Sequence, residues 1–443
     1  MESLRVLKKT IISTAAAVVV ASSFALPLNV NAEEKTPAWT RQQAEKLERT
    51  KDTTAPYIKP DFEQIDPDHW VWDSWPLRNE DGSVAKVKGN YVLFALTAPD
   101  DVLPGKRHDI AQIRYYYSKN GKDWKLGGPA FDKEDAFGSR QWAGSAMLDD
   151  NGKIHLFYTA TGRKDDDKLT YEQRLAKASG EINVNKSGVH LENWGEHKII
   201  LKPKGKYYQT MEQSEGGIIY AFRDPWFYKD PKTGKEYILF EGNSPGKASE
   251  QTCQPHNIGD EDYRQNHTAP DGSAQYNGNV GIAVAEDDSM NNWEMLPPLL
   301  EADCVNQQLE RPHIVNKGGQ YYLFVDSHKF TFAPGLKGVD GLYGFTSDRL
   351  DGDYKPLNES GLVIANPKNN PFQAYSWIVL PNGKVISFIN YFDLNGVSLK
   401  DVGSQSEQFQ YDHFGGTLAP TLKLSIHGDE TQIVNTQQHG KIN

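Results

Sequence analysis

The chain has 443 residues, 38 % of them hydrophobic and 11 % aromatic, with a formal net charge of −11. This is ample apolar content for a large packed core and excludes a disordered or fibrous chain. The acidic balance, without a clustered Lys/Arg patch, excludes nucleic acid as a partner.

Residues 1–32 (MESLRVLKKT IISTAAAVVV ASSFALPLNV NA) combine a short basic stretch, an apolar run and a small-residue site ending at Ala32. They read as a secretory signal peptide cut after Ala32, because the run holds Ser22, Ser23 and Pro27 and falls short of the ~20 residues a membrane span needs. The mature protein is therefore expected to be secreted, soluble, free of membrane and monomeric. Residues 33–69 form an N-terminal segment in which PAWTRQQAEKLERTK has the capping and spacing of a short helix.

From residue 70 to 443 the pattern changes to β. Five runs share a turn followed by a strand: KGNYVLFALTA from Lys88, NGKIHLFYTAT from Asn151, TGKEYILFEGN from Thr233, KGGQYYLFVDS from Lys317 and NGKVISFINYF from Asn382. They recur at intervals of roughly 60 to 85 residues, which suits blades of several strands. IRYYYS, VGIAVAED, LYGFTSD and TLKLSIHG supply further strands. The expectation is all-β, a five-bladed β-propeller with a central active-site pocket, with a β-sandwich as the alternative. ASEQTCQPHNIGDEDYRQNHTAPDGSAQ, from Ala248, is polar and aperiodic and reads as a long loop. The two cysteines, Cys253 and Cys304, either pair, closing a loop of about 50 residues worth roughly 4 kcal/mol, or are buried thiols.

A propeller brings the inner strands of all blades to one channel, so acids far apart in sequence can meet there. Three stand beside unusual neighbours: Asp73 in VWDSWP, Asp224 in AFRDPW and Glu310 in QLERPH. Each strand-like run meets a proline within three residues. Strict alternation would turn Arg223 away from Asp224 and Glu310 away from Arg311; a bulge before the proline would bring both members of each pair inward. Glycoside cleavage needs one ionised carboxylate and one protonated carboxyl, and the three tryptophans around Asp73 are expected to wall a sugar-shaped pocket. An acid that merely caps a turn beside core indoles is the competing reading of that motif alone.

The motifs VWDSWPL, QWAGSA, YAFRDPW, LFEGN, LERPH, LFVDSHKFT, DGLYGF, YKPLN and GGTLAPTL, spread from Trp70 to Leu424, make the chain resemble the bacterial levansucrases and related fructosyltransferases of glycoside hydrolase family 68. The resemblance implies a five-bladed propeller that takes fructose from sucrose with retention and hands it to fructan, another sugar or water. A β-fructofuranosidase, with water as main acceptor, and an inulosucrase are the alternatives. By the same motif match Asp73 is the nucleophile, Glu310 the general acid/base and Asp224 the stabiliser of the transition state. Trp72, Trp142, Arg223, Gln308, Arg311, His328 and Tyr375 are implied substrate-binding residues. No cofactor is implied. Relatives with structural calcium carry aspartates where this chain has Ile218 and Gln307, so no metal is expected, and Cys253 and Cys304 match the branch that uses a disulfide instead. The family's usual Trp-Ser-Gly-Ser is Trp142-Ala143-Gly144-Ser145 here, which removes a hydroxyl expected to bond Asp73.

Overall fold

The computed structural model describes residues 36–215 and 217–443; the expected signal peptide lies outside the described residues. Thr36–Asn443 forms one unit, and its strands fall into five consecutive antiparallel ladders. The inner strands are His69–Asn79, Arg140–Leu148, Phe222–Lys229, Glu310–Lys317 and Ala374–Val379. Each touches the next, and the last returns to the first, so the ladders stand in a ring as an all-β propeller. Only the first two are joined into one sheet, by a parallel pairing of Leu77–Asn79 with Ala146–Leu148.

Each of the five repeated runs becomes the turn and second strand of a ladder: Tyr91–Pro99, Lys153–Thr161, Glu236–Asn243, Gln320–Ser327 and Lys384–Tyr391. These strands do not alternate apolar with polar, because neighbouring ladders cover both faces. In YVLFALTAP the seven residues from Val92 to Ala98 are all buried. Trp75 stacks on Phe94, and Phe157 of the second ladder stacks on Phe227 of the third. Gly144 shows how tight the packing is. A side-chain carbon there would fall 1.9 Å from the Phe157 carbonyl oxygen.

The N-terminal segment lies on the ring. Trp39 is fully buried among Phe332, Tyr343 and Phe345, and its indole donates to the Ser360 carbonyl at 3.0 Å. The expected helix is one turn, Arg41–Ala44, started by a capping box of Thr40 and Gln43. The opposite end of the chain fastens the ring: Ile442 N–H donates to Gly121 O at 2.9 Å, and Trp124 Nε1 donates to Gly440 O at 3.0 Å. These contacts bind the C-terminus to the first ladder.

The segment expected as a long loop carries two short helices, Pro255–Ile258 and Glu261–Arg264. Its local polar sequence hid them because each is a single turn held by caps and neighbours. Cys253 and Cys304 are disulfide-bonded, and Arg41 donates to the Cys304 carbonyl at 2.8 Å. No helix among the described residues is long and apolar enough to cross a membrane.

Candidate active site

One backbone device builds the centre of the ring. Every inner strand slips register against its second strand, between Trp72 and Trp75, Trp142 and Gly144, Arg223 and Trp226, Glu310 and His313, and Tyr375 and Ile378. In four of the five the residue at the slip is left-handed: Asp73 (φ 45°), Asp224 (φ 61°), Arg311 (φ 51°) and Ser376 (φ 60°). Such conformations are uncommon outside glycine and collect at functional sites. The bulge brings both members of Arg223-Asp224, Glu310-Arg311, Tyr375-Ser376 and Trp142-Ala143 to the cavity wall.

A bulge also frees amide groups from the ladder, and these need new partners. Neighbouring ladders supply them. Thr159 Oγ1 accepts from Asp224 N–H (2.9 Å), Ser145 Oγ from Phe227 N–H (2.9 Å), Asp326 Oδ1 from Trp377 N–H (3.2 Å) and Asp224 Oδ2 from Arg311 N–H (3.2 Å). The bulges thus lace the ladders together while they aim the side chains.

The cavity, about 540 Å³, is lined by Asp73, Asp224, Glu310, Trp142, Arg223, Gln308, Arg311, His328 and Tyr375, among others. Trp72 is placed differently. It has no exposed surface and lies behind the wall, its ring 5.3 Å from His108 and its Nε1 without a hydrogen-bond partner among the described residues. Trp70 and Trp75 are buried as well, packed on Phe414 and Phe94. The expected wall of three indoles around Asp73 is therefore core. The rings that do face the cavity are those of Trp142, Tyr171, Phe330, Tyr375 and Phe388.

Charge at the centre is arranged in two groups. Arg223 bridges Glu241 at 2.7 Å and Glu310 at 3.1 Å. Burial opposes its charge, but Glu241, Glu310 and Asp224 outweigh that and raise its pKa. Tyr375 donates its hydroxyl to the other oxygen of Glu310. Arg311 donates to the Ser376 hydroxyl and, at 3.1 Å, to the Ser74 carbonyl. Ser376, after Arg311, favours the ionised form of Asp73.

Burial raises both remaining acids: Asp73 above the ordinary carboxylate range against the pull of Arg311, and Asp224 to about 6 against Arg223 and Arg311. Where Ala143 offers no hydroxyl, that of Ser376 favours the charge on Asp73. The Ser145 oxygen accepts from the Phe227 amide.

Several residues of this centre carry no role in the sequence reading. Ser376 could have been found as the partner of Tyr375 in the repeated two-residue pattern. Glu241 and Asp326 lie within LFEGN and LFVDS, and a carboxylate inside an otherwise buried strand is itself a signal that a partner exists. Arg107 and His108 sit on the turn Pro104–Asp109, where no local pattern announces a cavity wall. Gln307, at the position where some relatives have a calcium-binding aspartate, accepts from Asn277 N–H at 3.0 Å, while its carbonyl holds the Asn243 amide at 2.9 Å.

A ring of β-ladders converging Asp73, Asp224 and Glu310, with arginines and aromatic rings, on one cavity is the frame of a carbohydrate-processing propeller enzyme. The chain belongs to glycoside hydrolase family 68, whose model, described as levansucrase/invertase, matches residues 28–443. It is 39 % identical over 422 residues to levansucrase LscA of Pseudomonas savastanoi pv. glycinea, covering 91 % of this chain and 95 % of that protein. Among solved structures it is similar to an inulosucrase from Halalkalicoccus jeotgali bound to kestose, with TM-score 0.85, 49 % identity and coverage of 92 % and 97 %. The β-fructofuranosidase catalytic domain of Microbacterium saccharophilum K-1 follows the same fold, with TM-score 0.80, 33 % identity and coverage of 92 % and 93 %. Membership of the family makes this chain an enzyme of the fructosyltransferase and glycoside hydrolase class.

Proposed function

We propose that the chain is a secreted, sucrose-dependent fructosyltransferase of the levansucrase type, acting with retention through a fructosyl ester on Asp73. Asp73 attacks the anomeric carbon of the fructosyl unit while Glu310 gives its proton to the departing glucosyl oxygen. In the second half Glu310 takes a proton from the acceptor hydroxyl, of fructan, sugar or water, which then displaces Asp73. Asp224, ionised beside Arg223 and Arg311, stabilises the positive charge that develops on the sugar ring. The raised pKa of Asp224 reflects how little water reaches that carboxylate, so its field on the ring is strong.

The observation that carries the reading is the division of labour around one cavity. Glu310 is gripped by Tyr375 and Arg223, whereas the charge on Asp73 is favoured by Arg311 and, after it, Ser376. The signal-like N-terminus and the disulfide support secretion. The 49 % identity to an inulosucrase supports a second reading that differs only in linkage, inulin in place of levan.

Incubation with sucrose tests both. Glucose in excess of free fructose is expected, with the linkage read from the carbon NMR of the polymer. Equal release of the two sugars would make the enzyme a β-fructofuranosidase, and no release would end the proposal. Asp73→Asn and Glu310→Gln should each lose at least about 10²-fold in kcat.

A further inference from the structure

His328 sits at the cavity rim, on the turn after strand Gln320–Ser327. Its ring is clamped between two others, Tyr375 at 3.8 Å and 10° and Phe330 at 5.1 Å and 16°. A flat ring held on both faces keeps one freedom, which nitrogen points where. Asp340 removes it. Asp340 Oδ2 lies 2.7 Å from His328 Nδ1, and its other oxygen accepts the Lys329 N–H at 2.7 Å, so one carboxylate holds both the imidazole and the turn that carries Phe330. Asp340 is 1 % exposed and does not line the cavity.

With Nδ1 occupied, Nε2 faces Glu310, 3.9 Å from its Oε2. That is too long for a direct hydrogen bond, yet one hydroxyl oxygen can sit within about 2.8 Å of both atoms. We propose that Asp340 is a positioning residue for the transfer step, aiming His328 Nε2 so that a hydroxyl of the incoming sugar is held between His328 and Glu310. The inference rests on the fructosyl-transfer reading above. A water can be activated by Glu310 alone, whereas a sugar hydroxyl must also be oriented, so Asp340 acts on the share of transfer over hydrolysis.

The charge on the imidazole decides which way the hydroxyl points. A protonated ring donates from Nε2 to the hydroxyl oxygen and leaves the hydroxyl proton for Glu310. A neutral ring with its proton on Nδ1 offers a lone pair at Nε2 and competes with Glu310 for that proton. The groups facing His328 are Asp340 from its own ladder, Glu310 from the adjoining inner strand, Asp73 from the first ladder, and the Tyr375 phenol from the fifth. Across the cavity, His108 and the ring interact weakly as like charges when both are protonated. Burial opposes the charge on His328, but Asp340 first and Glu310 and Asp73 after it prevail and raise its pKa. Transfer should accordingly hold up as pH rises towards neutrality and yield to hydrolysis above the imidazole's titration.

The test uses the full-length protein with histidine-labelled NMR, the His328 signal being assigned by its loss in His328→Gln, together with glucose and free-fructose release from sucrose between pH 4.5 and 8. Asp340→Asn keeps an acceptor for Lys329 N–H and removes the charge. It should move the His328 titration down by about one unit or more and cut the transfer share at least about threefold near pH 6.5. In a His328→Gln background it should change the share no further, and Asp340→Glu should restore part of both effects. An unmoved His328 titration in Asp340→Asn, an unchanged transfer share at every pH, or a further drop in the His328→Gln background would each overturn the proposal. A wild type that releases no glucose would instead remove the fructosyl-transfer reading, and the NMR titration distinguishes that failure from this one.

Discussion

Removing the Cys253–Cys304 bond is the sharpest test of what holds the third ladder. The cysteines are 51 residues apart, and the span between them contains both outer strands of that ladder, Gly278–Ala285 and Trp293–Glu301. The bond therefore closes a loop of that length in the unfolded chain. In the chain-entropy model a closed loop of this length is worth about 4 kcal/mol. A domain of roughly 400 residues melts with an entropy of roughly 0.85 kcal/mol/K, so the midpoint should fall by about 5 °C. Cys304 is 2 % exposed, which slows reduction of the folded protein. The experiment is thus the double variant Cys253→Ser/Cys304→Ser beside the wild type with and without reductant, followed by calorimetry. Equal midpoints for the variant and the oxidised wild type would refute the argument, because they would mean that the bond constrains nothing that unfolding releases.

Three further outcomes follow from the charges and hydroxyls described above. Ser376→Ala removes the hydroxyl that accepts from Arg311 and favours the charge on Asp73; a bond to a charged group is worth about 1.5–3 kcal/mol, so kcat/KM should drop about tenfold or more and its acidic limb should move to higher pH, and an unmoved limb counts against the coupling to Asp73. Asp224 and Asp73 must both be ionised in the resting enzyme, and with Asp224 at about 6 the acidic limb of kcat/KM should rise through about pH 6 as a property of the pair; a profile flat down to pH 4.5 would contradict it. Asp303 is raised to about 7 by burial and by Glu301, so the folded state keeps a proton that the unfolded chain loses near 3.8. Stability is lost as pH rises between these values. Asp303→Asn, which can still accept from Ser244, should therefore melt with the wild type at pH 4 and be more stable at pH 8 by about 1–2 kcal/mol after allowance for solvent access. A wild type melting alike at both pH values would contradict the assignment.

Much of this architecture was legible in the residues. The turn-plus-strand runs marked the second strand of every ladder, because a Gly-containing turn followed by a continuously apolar run is the local signature of a strand covered on both faces. The two-residue units Arg223-Asp224 and Glu310-Arg311 announced the bulge, since two charged neighbours beside a proline cannot both be tolerated on an alternating buried strand. What stayed hidden depends on packing between elements. Nothing local says that Ser376 reaches Asp73, that Asp340 reaches His328, or that Trp72 turns its ring to His108 behind the cavity wall. The indole cluster misled because a tryptophan beside a catalytic carboxylate and one in a core have the same sequence signature. Their burial comes from elements outside the strand that carries them.

The strap by which Gly440 and Ile442 fasten to Trp124 and Gly121 has a consequence for the life history of the molecule. The fifth ladder contributes Tyr375 and Ser376, and this ladder is stitched to the first by the final residues of the chain. The cavity is therefore incomplete until the fifth ladder has closed on the first. Competence comes as one event, when the circle shuts, and not by degrees as the ladders form. The enzyme is in this way kept silent wherever its chain is still extended.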